Sequence, residues 1–234
     1  MTIAQRIHDL DWTSLTSDLD TQGYALTPSL LSPSECEQLI ALYSDDKLFR
    51  SHIIMARYRF GSGDYKYFAH PLPAIINELR TSLYPYLATV ANRWNEVLGA
   101  EDKFPARHEV LLAECHQRGQ ARPTPLLLHY ETGDYNCLHQ DLYGQIAFPL
   151  QLTCFLSPQS AYTGGEFVLT EQQPRAQSRV QVVAAEQGQA LIFTTRYRPV
   201  KGSRGYFRLN VRHGVSRIHS GVRYTLGVPF HDAE

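Results

Sequence analysis

Residues 125–141, Pro125-Leu126-Leu127-Leu128-His129-Tyr130-Glu131-Thr132-Gly133-Asp134-Tyr135-Asn136-Cys137-Leu138-His139-Gln140-Asp141, hold two short runs rich in apolar residues around a Thr-Gly-Asp turn. Runs this short, broken by a glycine turn, predict strands at 126–131 and 134–141 with no room for a helix between them. The same texture recurs at 148–156, 165–170, 178–185, 189–195, 205–213 and 222–230, making about eight strand candidates in all. Short strands separated by turn residues, with no helical period between them, predict an antiparallel sandwich or jelly roll rather than a parallel α/β sheet. The Gln/Ser-rich patches at 157–163 and 171–178 read as loops.

Upstream the period changes. Ile7, Leu10, Trp12 and Leu15 suggest an amphipathic start, followed by a short strand-like Gly23-Tyr24-Ala25-Leu26-Thr27. Ser32-Pro33-Ser34-Glu35 has a capping serine, a proline at the first helical position and a glutamate placed to close a capping box. Residues 74–98 place Ile75, Leu79, Leu83, Leu87, Val90, Trp94 and Leu98 at helical spacing, with Pro85 expected to kink or split the element. A further helix is expected from Pro105 to about Gln117. The expected organisation is a mainly helical N-terminal flank, 1–122, packed on a β core, 123–234, as one structural unit.

The chain has 234 residues, 43% hydrophobic and 19% charged, with a net charge of −1. That is enough to bury a core, and it points away from disorder and from wholesale polyanion binding. No stretch approaches the roughly 18 consecutive apolar residues of a spanning helix, and the opening MTIAQRIHDLDW lacks a basic segment followed by an apolar one, so no membrane and a cytoplasmic location are expected. Cys36, Cys115, Cys137 and Cys154 have no zinc-ribbon spacing and read as reduced packing residues. Charge is uneven: residues 1–50 carry eight acids against three bases, and 187–231 carry eight Lys or Arg and no acid.

His139 and Asp141 stand at i and i+2 at the end of a predicted strand, so both side chains fall on one face and can share a metal ion. A second histidine, His213, lies 72 residues downstream and is followed by Gly221 and Arg223. Two histidines and one carboxylate with open positions make the facial triad of non-haem Fe(II) oxygenases.

With these residues in place, the chain resembles the 2-oxoglutarate and Fe(II)-dependent dioxygenases, in their prolyl 4-hydroxylase-like branch, over roughly 123–231. The matching residues are Tyr130, His139 and Asp141, Phe155-Leu156, Gly164-Gly165-Glu166, Gly188-Gln189-Ala190-Leu191-Ile192-Phe193, then His213, Gly221 and Arg223. More narrowly, His-Gln-Asp-Leu-Tyr-Gly, Gly-Gly-Glu-Phe-Val-Leu-Thr-Glu, Asn-x-Arg-His-Gly-Val-Ser-Arg and Arg-Tyr-Thr-Leu-Gly are similar to a group of uncharacterised bacterial oxygenases with a suggested role on damaged nucleic acid. The resemblance implies a double-stranded β-helix core. It also implies Fe(II) on His139, Asp141 and His213, with 2-oxoglutarate and O2 as co-substrates and succinate and CO2 as products.

By the same resemblance, Arg223 anchors the remote carboxylate of 2-oxoglutarate. Arginine stands where prolyl hydroxylases usually carry lysine, and its guanidinium fits a carboxylate through paired charge-assisted hydrogen bonds. Tyr130 corresponds to a tyrosine that bonds the same carboxylate, Gln151 falls where the family places a polar side chain, and Thr225 stands two residues from Arg223 on the same strand face. Asp141 argues against a halogenase, which leaves that ligand position open.

Other residues read more plainly. His219 rivals His213 as a ligand, but the spacing to Gly221 and Arg223 then fails. His129 should point away from Tyr130, and His52, His70, His108, His116 and His231 read as surface or packing residues. Gly61-Ser62-Gly63 reads as a mobile loop and Cys137 as a buried thiol. The bases from Arg196 to Arg217 fit either phosphates or a solvated loop, with the loop preferred. Arg57-Tyr58-Arg59-Phe60 and Tyr65-Lys66-Tyr67-Phe68 suit single-stranded nucleic acid, a peptide or a sheet edge.

The expected function is hydroxylation of an unidentified substrate, a peptide prolyl residue or a small molecule. Nucleic acid is an admitted but not favoured partner, and its oxidative demethylation is the alternative. A metal-binding jelly roll without turnover is the reading from another class. The oligomeric state leaves no trace in the sequence.

Overall fold

Two antiparallel sheets pack against each other around a cavity in the computed structural model, which describes residues 1–142, 144–173 and 177–234. The helices are α1 (Ile3–His8), α2 (Trp12–Gln22), α3 (Pro33–Ala41), α4 (Ala74–Val97) and α5 (His108–Gln117). Four strands precede residue 122: β1 (Tyr24–Leu26), β2 (Phe49–Ile54), β3 (Gly61–Ser62) and β4 (Asp64–Phe68). The rest are β5 (Leu126–Tyr130), β6 (Tyr135–His139), β7 (Leu150–Phe155), β8 (Tyr162–Gly164), β9 (Phe167–Gln172), β10 (Arg179–Val183), β11 (Ala190–Thr194), β12 (Tyr197–Gly202), β13 (Gly205–Val215), β14 (Ile218–Gly221) and β15 (Arg223–Pro229). The larger sheet runs β1-β11-β7-β15-β5-β4-β2, the smaller β10-β9-β13-β6-β3 with β12 also on β13, and β8 pairs with β14. This is the double-stranded β-helix, or jelly roll.

Strand alternation divides the larger sheet between two environments. On β7, Leu152 and Cys154 turn to the helices and join Leu79, Leu83, Leu87 and Trp94 in the main core. Their neighbours Gln151 and Thr153 line the cavity. On β15, Leu226 and Val228 join the core while Arg223, Thr225 and Gly227 line the cavity. A second cluster, with Phe155, Leu191 and Phe193 of one sheet against Phe167, Leu169 and Val211 of the other, holds the sheets together.

The eight strands expected from residue 126 onward are all present, and Ser32 and Glu35 close the capping box of α3. Other expectations need correction. The helix carrying Pro85 is continuous over 24 residues, because its buried face from Ile76 to Trp94 packs as one stripe. Gly61-Ser62-Gly63 is no loose loop, since Gly61 and Ser62 pair with Asn136 and Tyr135. The patch 157–163 holds a 3-10 turn and the start of β8, while 171–178 opens with the end of β9 and lies partly outside the described residues. Cys137 is exposed, unlike the other three cysteines. The strand expected at 23–27 is β1, and it and β2 form the two edges of the larger sheet.

Helix α4 is tied to the C-terminal segment by a buried ion pair. Arg80 donates to Asp232 Oδ1 at 2.8 Å and to the Pro229 carbonyl at 2.9 Å, and His116 Nε2 lies 2.9 Å from Asp232 Oδ2. Nearby, burial and the Arg80 charge push His108 and His231 down to about 4. Both imidazoles are neutral in the fold, so between pH 6.5 and 4 the unfolded chain binds protons that the folded chain does not. Stability therefore falls as pH drops through that window, by up to about 1.4 kcal/mol per pH unit for each group, and levels off below it. Urea unfolding between pH 7 and 4 should show this slope, and His108→Gln should remove about half of it; an unchanged slope would contradict the assignment.

Candidate metal and co-substrate site

β6 ends at His139, and Asp141 lies two residues past the strand end with its carboxylate turned to both histidines. Gln140 fixes this segment by donating to the carbonyls of Arg196 at 2.8 Å and Val211 at 2.9 Å. His213 comes from β13, where it pairs directly with His139. The ligand atoms of His139, Asp141 and His213 all lie within 4.8 Å of one another. His213 Nε2 is 3.1 Å from Asp141 Oδ2, and His139 Nε2 is 3.6 Å from Oδ1. Donor atoms about 2.1 Å from one ion and at right angles around it stand about 3 Å apart, so this N2O set fits a shared divalent metal.

Hydrogen bonds orient the group. The Cys137 carbonyl lies 2.7 Å from His139 Nδ1, which places the proton there and leaves the Nε2 lone pair free to ligate. The His213 ring is stacked parallel to Phe167 and edge-on to Phe193. Gln151 lines the cavity and donates its amide to Asp141 Oδ2 at 2.7 Å. Burial alone would raise the Asp141 carboxyl, but the two histidines and the Gln151 amide hold it well below the carboxylate range. Burial and the neighbouring His213 push His139 down, which also leaves it neutral and ready to ligate.

Arg223 is 1% exposed, and none of its three guanidinium nitrogens has a hydrogen-bond partner among the described residues. A permanently charged group in that state needs an anion. It lines the same cavity of about 380 Å³ as the histidines. Its Cζ lies 5.6 Å from the rings of Tyr130 and Phe155 and 5.9 Å from that of Tyr162. Tyr130 pairs with Arg223 across β5 and β15, and Asn136 reaches its hydroxyl at 3.4 Å. Burial pushes the Tyr130 phenol up to about 12, so it stays an O–H donor.

Thr225 faces the cavity as its strand position requires. Gly221, at φ +84°, approaches so closely that a Cβ would lie 2.0 Å from the Ala161 carbonyl oxygen, which explains the glycine before Arg223 in physical terms. His129 points the other way, stacked on Tyr224 and 2.9 Å from Asp64. His219 does not line the cavity. Tyr65 and Tyr67 do, from a stretch for which a sheet edge is one of the readings, and it is indeed a strand, β4.

The family whose sequence pattern matches residues 63–233 is described as an oxygenase catalysing oxidative methylation of damaged DNA. The chain belongs to this family. Two uncharacterised proteins from two strains of Mycobacterium tuberculosis are 51% identical to the oxygenase over 167 residues, 71% of this chain and 72% of theirs. In fold it is similar to a Pseudomonas putida prolyl 4-hydroxylase, with TM-score 0.51, 15% identity, and 92% of this chain and 96% of that one covered. It is also similar to a Burkholderia pseudomallei 2OG-Fe(II) oxygenase family protein, with TM-score 0.56, 15% identity, and 95% and 92% covered. The family makes the protein an oxygenase, and so an oxidoreductase, while its likeness to the solved 2OG-Fe(II) oxygenases is one of fold. Among the described residues no helix is long and apolar enough to cross a membrane.

Proposed function

We propose that His139, Asp141 and His213 hold Fe(II), that Arg223 binds the remote carboxylate of 2-oxoglutarate, and that the oxygenase hydroxylates a substrate C–H bond with release of succinate and CO2. The observation that carries this reading is a buried guanidinium with three unpartnered nitrogens, in one cavity with a two-histidine, one-carboxylate cluster. The bound metal supplies oxidative decarboxylation of the co-substrate and activation of dioxygen. The chain's own residues do the rest. Arg223, with the Tyr130 hydroxyl close by, fixes the co-substrate's far end, and Gln151 holds the carboxylate of Asp141. Phe167 and Phe193 keep the histidine side dry.

The test is anaerobic addition of Fe(II) and then 2-oxoglutarate, read by the visible metal-to-ligand charge-transfer band. Arg223→Met is expected to keep Fe(II) binding and weaken 2-oxoglutarate binding by about 100-fold or more, since removing one side of a buried charge pair costs about 2–5 kcal/mol. Unchanged 2-oxoglutarate affinity would remove Arg223 from the site. No band with iron bound would favour the metal-binding module without turnover.

For the substrate, an alkylated nucleobase is the reading we favour over a prolyl peptide or a small molecule. It is supported by the family's description, whereas the likeness to prolyl hydroxylases is one of fold alone. Hydroxylation of an N-methyl group gives a carbinol that loses formaldehyde and leaves the repaired base. A base reaches an enclosed pocket only when unstacked or single-stranded. Formaldehyde release from a methylated oligonucleotide, equimolar with succinate, tests this.

A further inference from the structure

The segment Arg57-Tyr58-Arg59-Phe60, at the turn between β2 and β3, projects at the rim of the cavity. Tyr58 and Phe60 are 56% and 46% exposed, and their rings stack on each other with centroids 5.5 Å apart at 20°. Arg57 and Arg59 are exposed and make no ion pair among the described residues. Aromatic rings left in water beside unpaired guanidiniums make a poor packing element and a good docking surface.

The turn is anchored to the candidate metal site. The Phe60 carbonyl accepts from Cys137 N–H at 2.8 Å, two residues before His139, and β3 pairs with β6 immediately beyond. Gly61 permits this approach: at φ +138° its Cβ would lie 2.3 Å from the Tyr135 carbonyl oxygen. The Arg59 and Phe60 side chains line the cavity itself.

A second basic stretch lies away from the rim, with Lys201 and Tyr206 beside Asp20 and Trp94 of the helices. The β12–β13 hairpin is held by Gln140, between His139 and Asp141, through its bond to the Arg196 carbonyl. It carries the exposed Lys201, Arg204 and Arg208, with Tyr206 47% exposed and the Arg208 guanidinium 4.9 Å from the Tyr197 ring. Folding therefore sets aromatic rings beside this basic run, which along the chain reads as a solvated loop.

We propose that the Arg57–Phe60 turn forms a single-stranded nucleic-acid clamp at the cavity rim, with Tyr58 and Phe60 as a stacking platform for a base beside the target and Arg57 and Arg59 on flanking phosphates. The clamp rests on the nucleobase reading of the substrate and adds the surface that delivers it. Stacked aromatic faces interleaved with cations suit single strands, whose bases are free to stack and whose phosphates follow a basic track. A proline peptide would need the rings but not the cations, and an acidic peptide the cations but not the rings.

The test is fluorescence anisotropy of the full chain with a labelled 16-nucleotide single strand, the matching duplex and a poly-glutamate peptide, across a salt series. Single strand is expected to bind at least tenfold more tightly than duplex. Tyr58→Ala/Phe60→Ala should weaken it about tenfold or more at an unchanged salt slope. Arg57→Ala/Arg59→Ala should flatten the log–log slope, by about 0.7 for each phosphate no longer neutralised. All four positions are exposed, and the charge-transfer band with Fe(II) and 2-oxoglutarate reports an intact site in each variant. No binding of the strand, equal binding of duplex, tighter binding of the peptide, or indifference of both variants overturns the clamp while that band leaves the oxygenase reading standing. An absent band in wild type with strand binding retained does the reverse, upholding the clamp and overturning the co-substrate site.

Discussion

His213→Ala is expected to abolish both Fe(II) binding and succinate release. His213 is 6% exposed, packed between Phe167 and Phe193, and its Nε2 points at Asp141, so alanine removes one of three donors with no side chain able to replace it. Two remaining donors, one of them on a loop just past β6, leave an open and weak site. Gln151→Leu gives the graded comparison. It keeps all three donors but frees the Asp141 carboxylate, and loss of such an outer partner lowers metal affinity by about 10- to 100-fold. Anaerobic titration calorimetry with Fe(II), and Co(II) as a spectroscopic substitute, reads both. Iron binding intact in His213→Ala but lost in His219→Ala would shift the ligand to His219.

The largest stability effect is expected at Asp232→Ala. Asp232 is 0% and Arg80 1% exposed, so the substitution strands a buried guanidinium and also removes the acceptor of His116. Breaking one side of a buried pair costs about 3–5 kcal/mol. At roughly 2–4 °C per kcal/mol for a chain of this size, the melting temperature should fall by about 10 °C. Arg80→Met combined with Asp232→Leu should recover most of that loss, because the pair's own solvation penalty disappears with it. A double variant no more stable than Asp232→Ala would show that the contacts to Pro229 and His116 matter more than the charges.

Only the His139–Asp141 pair is legible in the sequence by local spacing; Arg223, Tyr130 and Gln151 enter through the family resemblance. His139 and Asp141 share a face by strand period, and the structure then supplies the reason for Arg223, a buried guanidinium without a partner among the described residues. Gln151 reads as a site residue, but its partner does not, since a side chain's hydrogen bond depends on what the facing loop brings within 3 Å. The rim residues read as a basic and aromatic mixture without a place. What places them is the pairing of two-residue β3 with β6, too short to leave a periodic signal.

Alternation and turn residues alone determined the antiparallel core, because a strand in a two-layer β fold must show its neighbours two different faces. They determined equally which residues of β5, β7 and β15 share a face. The tertiary structure decided everything that depends on contacts between distant segments. It brought His213 opposite His139, put Tyr65 and Tyr67 into the cavity, made β1 and β2 the edges of the larger sheet, and joined Arg80 to Asp232 across 152 residues. Local propensity is set by a residue's own backbone and near neighbours. Partners far along the chain meet only because burying the shared apolar faces of sheet and helices forces them together.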